Sequence, residues 1–92
     1  MAESKDALVM ILTETEKAHQ LAFAGTGGED PEWPMWYADF MIENLNELLH
    51  ARLTHSELIC VLLNLSRLHP AEAPDVPWQA YYADYMIERY HV

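Results

Sequence analysis

Two histidines fall at equivalent places in a chain that repeats itself. His19 and His69 each lie on the apolar stripe of a predicted helix. If the two imidazoles converge in the core, they could act as metal ligands or acid–base groups, with Glu16 and nearby tyrosines beside them. A buried histidine also serves structure alone, by hydrogen bonding to a tyrosine hydroxyl or to a carbonyl near a helix end. The sequence leaves both interpretations open and predicts no cofactor.

A second metal-type pattern is Glu-x-x-His, which places both side chains on one helix face. It occurs at Glu16/His19, Glu47/His50 and Glu88/His91. Two such pairs with two further glutamates form the carboxylate-bridged metal sites of helical bundles. The pattern is not shared by the two copies of the repeat, because Ser66 stands where Glu16 would recur. The remaining metal hypothesis is therefore the set Glu16, His19 and His69.

Carboxylates and aromatic residues form the other candidate site. Carboxylate pairs at i, i+4 recur in both copies although like charges at this spacing mildly repel. Aromatic residues next to them fall toward the polar arc, where they could line a groove or an interface. The candidate binding residues are Trp36, Asp39, Glu43, Tyr81, Asp84 and Glu88. The alternative is a solvated acidic face with aromatic residues that belong mostly to the core.

Nucleophilic and phosphate chemistry find no support. Cys60 lies inside an apolar run with no cationic neighbour in sequence to activate it. The run Gly25-Thr-Gly-Gly28 follows no strand and precedes no lysine, so it indicates a helix stop and a loop. A single cysteine also excludes an internal disulfide and favours a reducing cytoplasm.

Charge excludes further classes of partner. The formal net charge is −10, with five Lys and Arg residues scattered along the chain. Nucleic acids and anionic membrane surfaces require clustered basic residues, so neither is an expected partner. The apolar stretches are too short to span a bilayer, and residues 1–6 do not resemble a signal peptide.

The elements that carry these residues are set by an internal repeat. Residues 30–45 recur as 75–90 with eight identities, which are Asp30/Asp75, Trp33/Trp78, Tyr37/Tyr82, Ala38/Ala83, Asp39/Asp84, Met41/Met86, Ile42/Ile87 and Glu43/Glu88. Upstream, residues 4–12 match 54–62 in type at a longer offset. The change of offset falls in a glycine-rich segment, where an insertion is tolerated. Each copy, 4–51 and 54–92, is therefore predicted to be a helix, a loop and a second helix.

The apolar spacing predicts four helices. The first runs from an N-cap at Ser4 to the stop at residues 25–28. The second begins near residues 30–31 or at Pro34 and ends near Ala51. The third opens on the capping box at residues 54–57 and stops at Pro70, and the fourth runs from about Pro77 to near the C-terminus. We expect an all-α fold, a four-helix bundle in which two hairpins pack about a pseudo-twofold axis as one domain, 1–92.

The segment Asp30-Pro-Glu-Trp-Pro-Met-Trp-Tyr-Ala-Asp-Phe40, the related Tyr81-Tyr-Ala-Asp-Tyr85 and the pair Ala18-His19 carry a resemblance over nearly the whole chain. They resemble a group of short bacterial proteins of unknown function with a Trp-Pro-x-Trp-Tyr-Ala signature. The resemblance implies an all-helical, cytoplasmic, stand-alone protein. It implies no activity, cofactor or catalytic residue.

The function expected from the sequence is that of a small cytoplasmic, non-enzymatic binding or interaction module with an acidic and aromatic surface for a protein or small ligand. The apolar arcs are wide enough for deep packing or for a homodimer. The rival hypothesis is a metal–carboxylate or histidine-based enzyme with its site in the bundle core around His19 and His69.

Overall fold

The described part of the computed structural model, residues 2–27 and 30–90, is helical throughout its regular structure and contains no strand. Four α-helices follow one another: α1 (Ala2–Ala22), α2 (Trp33–Leu49), α3 (His55–Glu72) and α4 (Trp78–Tyr90). A short 3₁₀ helix, Ala24–Thr26, lies in the first connection. The all-α prediction and the number of helices are confirmed for these residues.

Helix α1 begins and ends earlier than predicted. It already includes Ala2, so Ser4 is not its N-cap; alanine and glutamate, which precede Ser4, have high helix propensity. It ends at Ala22, before the glycines, because the chain tightens there into the 3₁₀ turn. Gly27 then adopts a left-handed conformation, with φ of 70°, which glycine adopts at little cost. Gly28, the last residue of the predicted stop, lies outside the described residues.

Helix α2 has proline in its first turn and ends on a left-handed residue. Pro34 occupies a position where a missing N–H costs nothing. The helix ends at Leu49, two residues before the prediction, because His50 adopts φ of 53° and closes it. The following segment turns back along α2. There the Asn46 side chain donates to the Leu53 carbonyl and accepts from the Leu53 N–H, each over 3.0 Å.

Helix α3 has the predicted capping box but does not stop at Pro70. Thr54 and Glu57 exchange side-chain and backbone hydrogen bonds of 3.0 and 3.1 Å, which confirms the predicted start. The prediction of a stop at Pro70 is wrong, because the helix continues to Glu72. A proline this close to a helix end removes one backbone hydrogen bond, and the Ala73 N–H still closes the last turn on the His69 carbonyl.

The packing of the four helices is consistent with a bundle. Helix α1 packs on α2 and on α4, and α2 packs on α3, whereas the contact between α3 and α4 is the smallest of the four. All four helices contribute fully buried apolar side chains, which are Leu8, Leu12, Ala38, Met41, Leu45, Leu49, Leu58, Leu62, Leu65, Ala83 and Met86. The repeated alanines Ala38 and Ala83 are fully buried, and a small side chain at a buried position allows a neighbouring helix to approach closely. In the described ranges no helix combines the length and the apolarity needed to cross a bilayer.

Candidate ligand-binding site

An open cleft of about 460 Å³ lies where the end of α1 meets the first connection and the start of α2. Its lining residues are Glu16, His19, Gln20, Ala24, Gly27, Asp30, Trp33 and Tyr37. Two carboxylates and one imidazole thus face a space bordered by aromatic rings, and no lysine or arginine lines it. The cleft is therefore negatively charged when the imidazole is neutral.

His19 is fixed at the wall of this cleft. It is 6% exposed, as its place on the apolar stripe predicts, and its Nε2 lies 3.1 Å from the Oδ2 of Asp30. The other carboxylate oxygen of Asp30 accepts the Glu32 N–H over 3.0 Å. The imidazole also stacks on Phe23, with ring centroids 4.6 Å apart. One carboxylate therefore ties the end of α1 to the connection that leads into α2.

His69 makes the corresponding contact in the second half of the chain. Its Nε2 lies 2.5 Å from the carbonyl oxygen of Val76, in the connection between α3 and α4, and so donates to it. The prediction that His69 is buried is wrong, because the side chain is half-buried at the end of its helix. Each histidine bonds to the connection of its own helix pair, and His69 does not line the cleft that contains His19.

The hypothesised metal set is not gathered in the described part of the chain. Nowhere in residues 2–27 and 30–90 do three or more His, Cys, Asp or Glu side chains form a group that could hold a metal ion, and Glu16, His19 and His69 are no exception. Of the other Glu-x-x-His patterns, Glu47 and His50 are both exposed, and His50 closes its helix. His91 lies outside the described residues.

Four aromatic rings line a second, smaller and open cavity of about 210 Å³ next to the cleft. They come in two pairs at equivalent positions of the repeat, Trp33 with Tyr37 and Trp78 with Tyr82. Within each pair the rings meet edge to face, at 5.2 Å and 81° in the first and at 5.0 Å and 73° in the second. The pairs touch through Tyr37 and Trp78, with centroids 6.4 Å apart. We call these four residues the aromatic quartet.

Glu16 lies where the cleft meets the aromatic quartet. Its Oε2 accepts the indole N–H of Trp78 over 3.2 Å, although Trp78 belongs to the other helix pair. Burial, followed by the charge of Glu16 and the proximity of Tyr82, raises the pKa of Tyr37 to about 12. Burial also raises the pKa of Tyr82. Both phenols are therefore neutral at physiological pH, and the quartet carries no charge of its own.

The retained aspartates contact the neighbouring helix pair. Asp84 on α4 lies 3.1 Å from the Lys5 ammonium of α1, and Asp39 on α2 lies 3.2 Å from the Nε2 of His55 on α3. Lys5 and His55 occupy equivalent positions of the repeat, so these are equivalent contacts. All four groups are exposed enough for each ion pair to contribute less than about 1 kcal/mol. Their carboxylates are outward-facing, as predicted.

The other predicted binding residues do not form one patch with each other. Glu43 and Glu88 are exposed. None of the pockets described for this structure contains predicted binding residues of both α2 and α4. Trp36 is half-buried. Its ring centroid lies 5.2 Å from that of His19, and its ring stacks on Phe40 with centroids 5.4 Å apart. Tyr81 is also half-buried; its hydroxyl donates to Glu72, which raises its pKa to about 12. The two sets therefore remain separate candidates on α2 and α4.

Two features of the cleft were missed from the sequence. Asp30 was recognised only as a repeated residue, yet Asp75, its counterpart, makes no equivalent contact, because His69 bonds to a carbonyl instead. The bond from Trp78 to Glu16 joins residues 62 positions apart, for which no local signal exists. The signal that could have found it is the replacement of Glu16 by Ser66 in the second copy.

Searches against protein-family models, characterised proteins and solved structures gave no significant match. The resemblance to bacterial proteins with the Trp-Pro-x-Trp-Tyr-Ala signature therefore stays a prediction, and the site is argued from its geometry.

Proposed function

We propose that this protein is a non-enzymatic binding module whose cleft and aromatic quartet together bind a small organic cation. The ligand's positive group lies among the aromatic rings and is neutralised by Glu16. Faces of tryptophan and tyrosine attract cations through their quadrupoles, most strongly where water is excluded. This proposal keeps the acidic and aromatic character predicted for the binding surface but moves its centre from the outer faces of α2 and α4 to the loop end of α1.

The observation that carries the proposal is the position of the Glu16 carboxylate. It borders the cleft, contacts Trp78 of the quartet, and has no lysine or arginine partner in the described structure. A carboxylate beside aromatic rings is the arrangement that recognises ammonium and quaternary ammonium groups. A carboxylate of the ligand would instead be repelled by both Glu16 and Asp30.

The experiment is a titration with tetramethylammonium or choline, followed by isothermal calorimetry and by tryptophan fluorescence. The matched neutral probe is 3,3-dimethylbutan-1-ol, which has the shape of choline without its charge. We expect choline to bind at least tenfold more tightly than the alcohol. Glu16→Gln should weaken choline binding by about tenfold, which corresponds to about 1.4 kcal/mol. Equal binding of choline and the alcohol, or no binding of either, contradicts the proposal.

Glu14→Gln is the control variant. Glu14 is exposed on the same helix but does not line the cleft, so its substitution changes the net charge equally and should leave the affinity unchanged. If both variants weaken choline binding to the same extent, the attraction is the general field of an acidic protein rather than a site.

A second candidate is a histidine-based or metal–carboxylate enzyme, and the His19–Asp30 pair favours it. A carboxylate that orients a buried imidazole at the wall of a cleft is a common arrangement of acid–base catalysts. Elemental analysis of the purified protein discriminates between the candidates. Stoichiometric iron, manganese or zinc that is lost in His19→Ala favours the enzyme, whereas metal-free protein with the same stability in chelator removes the metal version of it.

We also propose that the two helix pairs arose by duplication of one hairpin and pack about a pseudo-twofold axis. Three kinds of equivalent contact support this: the histidine that bonds to each connection, the aspartate that reaches each neighbouring pair, and the edge-to-face aromatic rings. A bacterial origin, a cytoplasmic location and homodimer formation stay predictions from the sequence.

A further inference from the structure

A second surface feature, separate from the ligand-binding site, is a groove between α3 and α4. Of the four pairs of helices that pack on each other, these two share the smallest contact, and the space between them amounts to about 660 Å³. The groove is lined by Ser56, Glu57, Cys60, Val61, Leu63, Asn64, Arg67, Tyr85, Arg89 and Tyr90. None of these residues borders the cleft or belongs to the aromatic quartet.

The middle of the groove is apolar. Leu63 is 50% exposed, and Val61, Tyr85 and Tyr90 lie beside it. Exposure of a leucine next to two tyrosines leaves apolar surface in water that a bound partner would cover. Tyrosines with an apolar ring and a polar hydroxyl are enriched at protein interfaces for this reason.

The charge of the groove differs from that of the whole chain. Arg67 and Arg89 are two of the five Lys and Arg residues of a chain with net charge −10, and they lie on opposite walls. Neither has a carboxylate partner among the described residues: Arg67 donates to the Asn64 side chain over 2.5 Å, and Arg89 lies 5.6 Å from the centre of the Tyr85 ring. The carboxylate that lines the groove, Glu57, is already engaged in the capping box.

The spacing of the arginines favours an extended partner over a small anion. His69 packs on Tyr81 and Tyr82, which fixes the register of α3 against α4. In that register Arg89 lies about 8 Å further along the groove than Arg67, since each helical residue rises about 1.5 Å. A helix can present carboxylates one or two turns apart on either side of an apolar stripe, which matches this offset and the apolar residues that line the groove with the arginines.

We propose that this groove binds an amphipathic helix of another protein, with its apolar face on Leu63 and the tyrosines. Flanking carboxylates of that helix pair with Arg67 and Arg89. The groove is long enough for about three turns of such a helix, because its lining spans residues 56–67 of α3. Charge complementarity selects an acidic helix over a basic one.

Cys60 makes the test possible, because it lines the groove, is exposed and is the single cysteine of the chain. The rate at which iodoacetamide alkylates it reports whether the groove is covered. The probe is a synthetic helical peptide of about 15 residues with leucines on one face and glutamates beside them. Its control is the same peptide with lysine at every glutamate position. We expect the acidic peptide to slow alkylation at least fivefold and the lysine peptide to leave the rate unchanged.

Variants separate the groove from the net charge of the protein. Arg67→Glu and Arg89→Glu together should abolish protection by the acidic peptide and allow protection by the lysine peptide. Arg52→Glu, at an exposed position outside the groove, should leave protection intact. Circular dichroism melts of all variants check that they fold.

Four outcomes overturn the proposal. Absence of protection by the acidic peptide shows that the groove does not bind it, and equal protection by both peptides shows that charge does not select the partner. Protection by laurate but not by the peptide assigns the groove to a small anionic amphiphile. Alkylation that slows with protein concentration alone assigns it to a second copy of this chain.

Discussion

Alkaline pH should destabilise the protein through Tyr37. Its pKa is about 12 in the folded protein against an ordinary value of 10. A raised pKa means that the unfolded chain loses the phenolic proton first, so the stability is complete below pH 10 and falls as the pH rises toward 12. At about pH 11.5 the difference in the pKa of Tyr37 between the folded and unfolded states lowers the free energy of unfolding by about 2 kcal/mol. This is a sizeable part of the total stability of a domain of this size.

The assay is guanidinium unfolding at about pH 9 and about pH 11.5, followed by far-UV circular dichroism. Tyr37→Phe removes the ionisable group. Between the two pH values the free energy of unfolding of this variant should therefore fall less than that of the wild type, by about 2 kcal/mol. Glu16→Gln should reduce the loss by a smaller amount, because the charge of Glu16 is the second cause of the raised pKa. Tyr90→Phe, at the opposite end of α4 from the quartet, is the control and should keep the wild-type loss.

The reasoning is refuted if Tyr37→Phe loses as much stability at high pH as the wild type. In that case the tyrosine would not be buried beside Glu16 as the structure places it. A loss that is equally reduced in the Tyr90→Phe control would mean that alkaline unfolding reflects the summed ionisation of the tyrosines and not the quartet. Titration of the phenolate absorbance in the folded protein gives an independent measure of the same pKa.

Three further predictions concern stability. His19→Ala should lower the free energy of unfolding by about 1–3 kcal/mol, since it leaves a largely buried carboxylate without its partner, and His69→Ala should cost less because its site is half-exposed. Calorimetric melts of the two variants against the wild type measure both. Asn46→Ala should cost about 2 kcal/mol in urea unfolding through its two bonds to Leu53, and an unchanged midpoint would contradict this. His50→Gly should raise the melting temperature by a few degrees, because φ of 53° is strained for any residue but glycine, and a lower value would show that the His50 side chain has a role of its own.

The helices could be predicted from the sequence because each depends on local chemistry. The capping box at Thr54, the proline at residue 34 and the apolar period act within a few residues. The errors lie at the ends, where several conformations have similar energies. Pro70 was expected to stop α3, but near a C-terminus it removes one hydrogen bond and the helix tolerates it.

The candidate site was predictable only in part, because its contacts join distant segments. His19 was identified from its place on the apolar stripe, and its burial is confirmed. Its partner was not, since a histidine in that position can bond to a tyrosine, a carbonyl or a carboxylate. The groove between α3 and α4 was not foreseen at all. It depends on how far two helices separate, which the amphipathic pattern of each helix does not encode.

The two copies share some residues and differ in others. Shared residues include those whose contacts join the helices, whereas Glu16 of the proposed ligand site occurs in one copy. Residues that the copies share make contacts that join helices: Asp39 and Asp84 each contact a neighbouring pair, and the shared histidines each bond to a connection. Retention of these aspartates and histidines is thus explained by packing, without a ligand. On the proposed duplication, Glu16 and its counterpart Ser66 differ because structure does not require a carboxylate there.

The groove between α3 and α4 also has no full counterpart in the first copy. By the offsets of the repeat, Arg67 corresponds to Lys17 and Arg89 to Asn44, so the pair of arginines exists in the second copy alone. Glu16 and Arg89 therefore have no charged counterpart in the other copy, whereas Lys17 keeps the positive charge of Arg67. A module built from two equal hairpins would present every site twice, whereas these differences give it one acidic site for a cation and one basic groove for an acidic helix. We infer that the aromatic rings of the cation site are shared by the two copies, and that the charged residues which differ between the copies make each proposed site single.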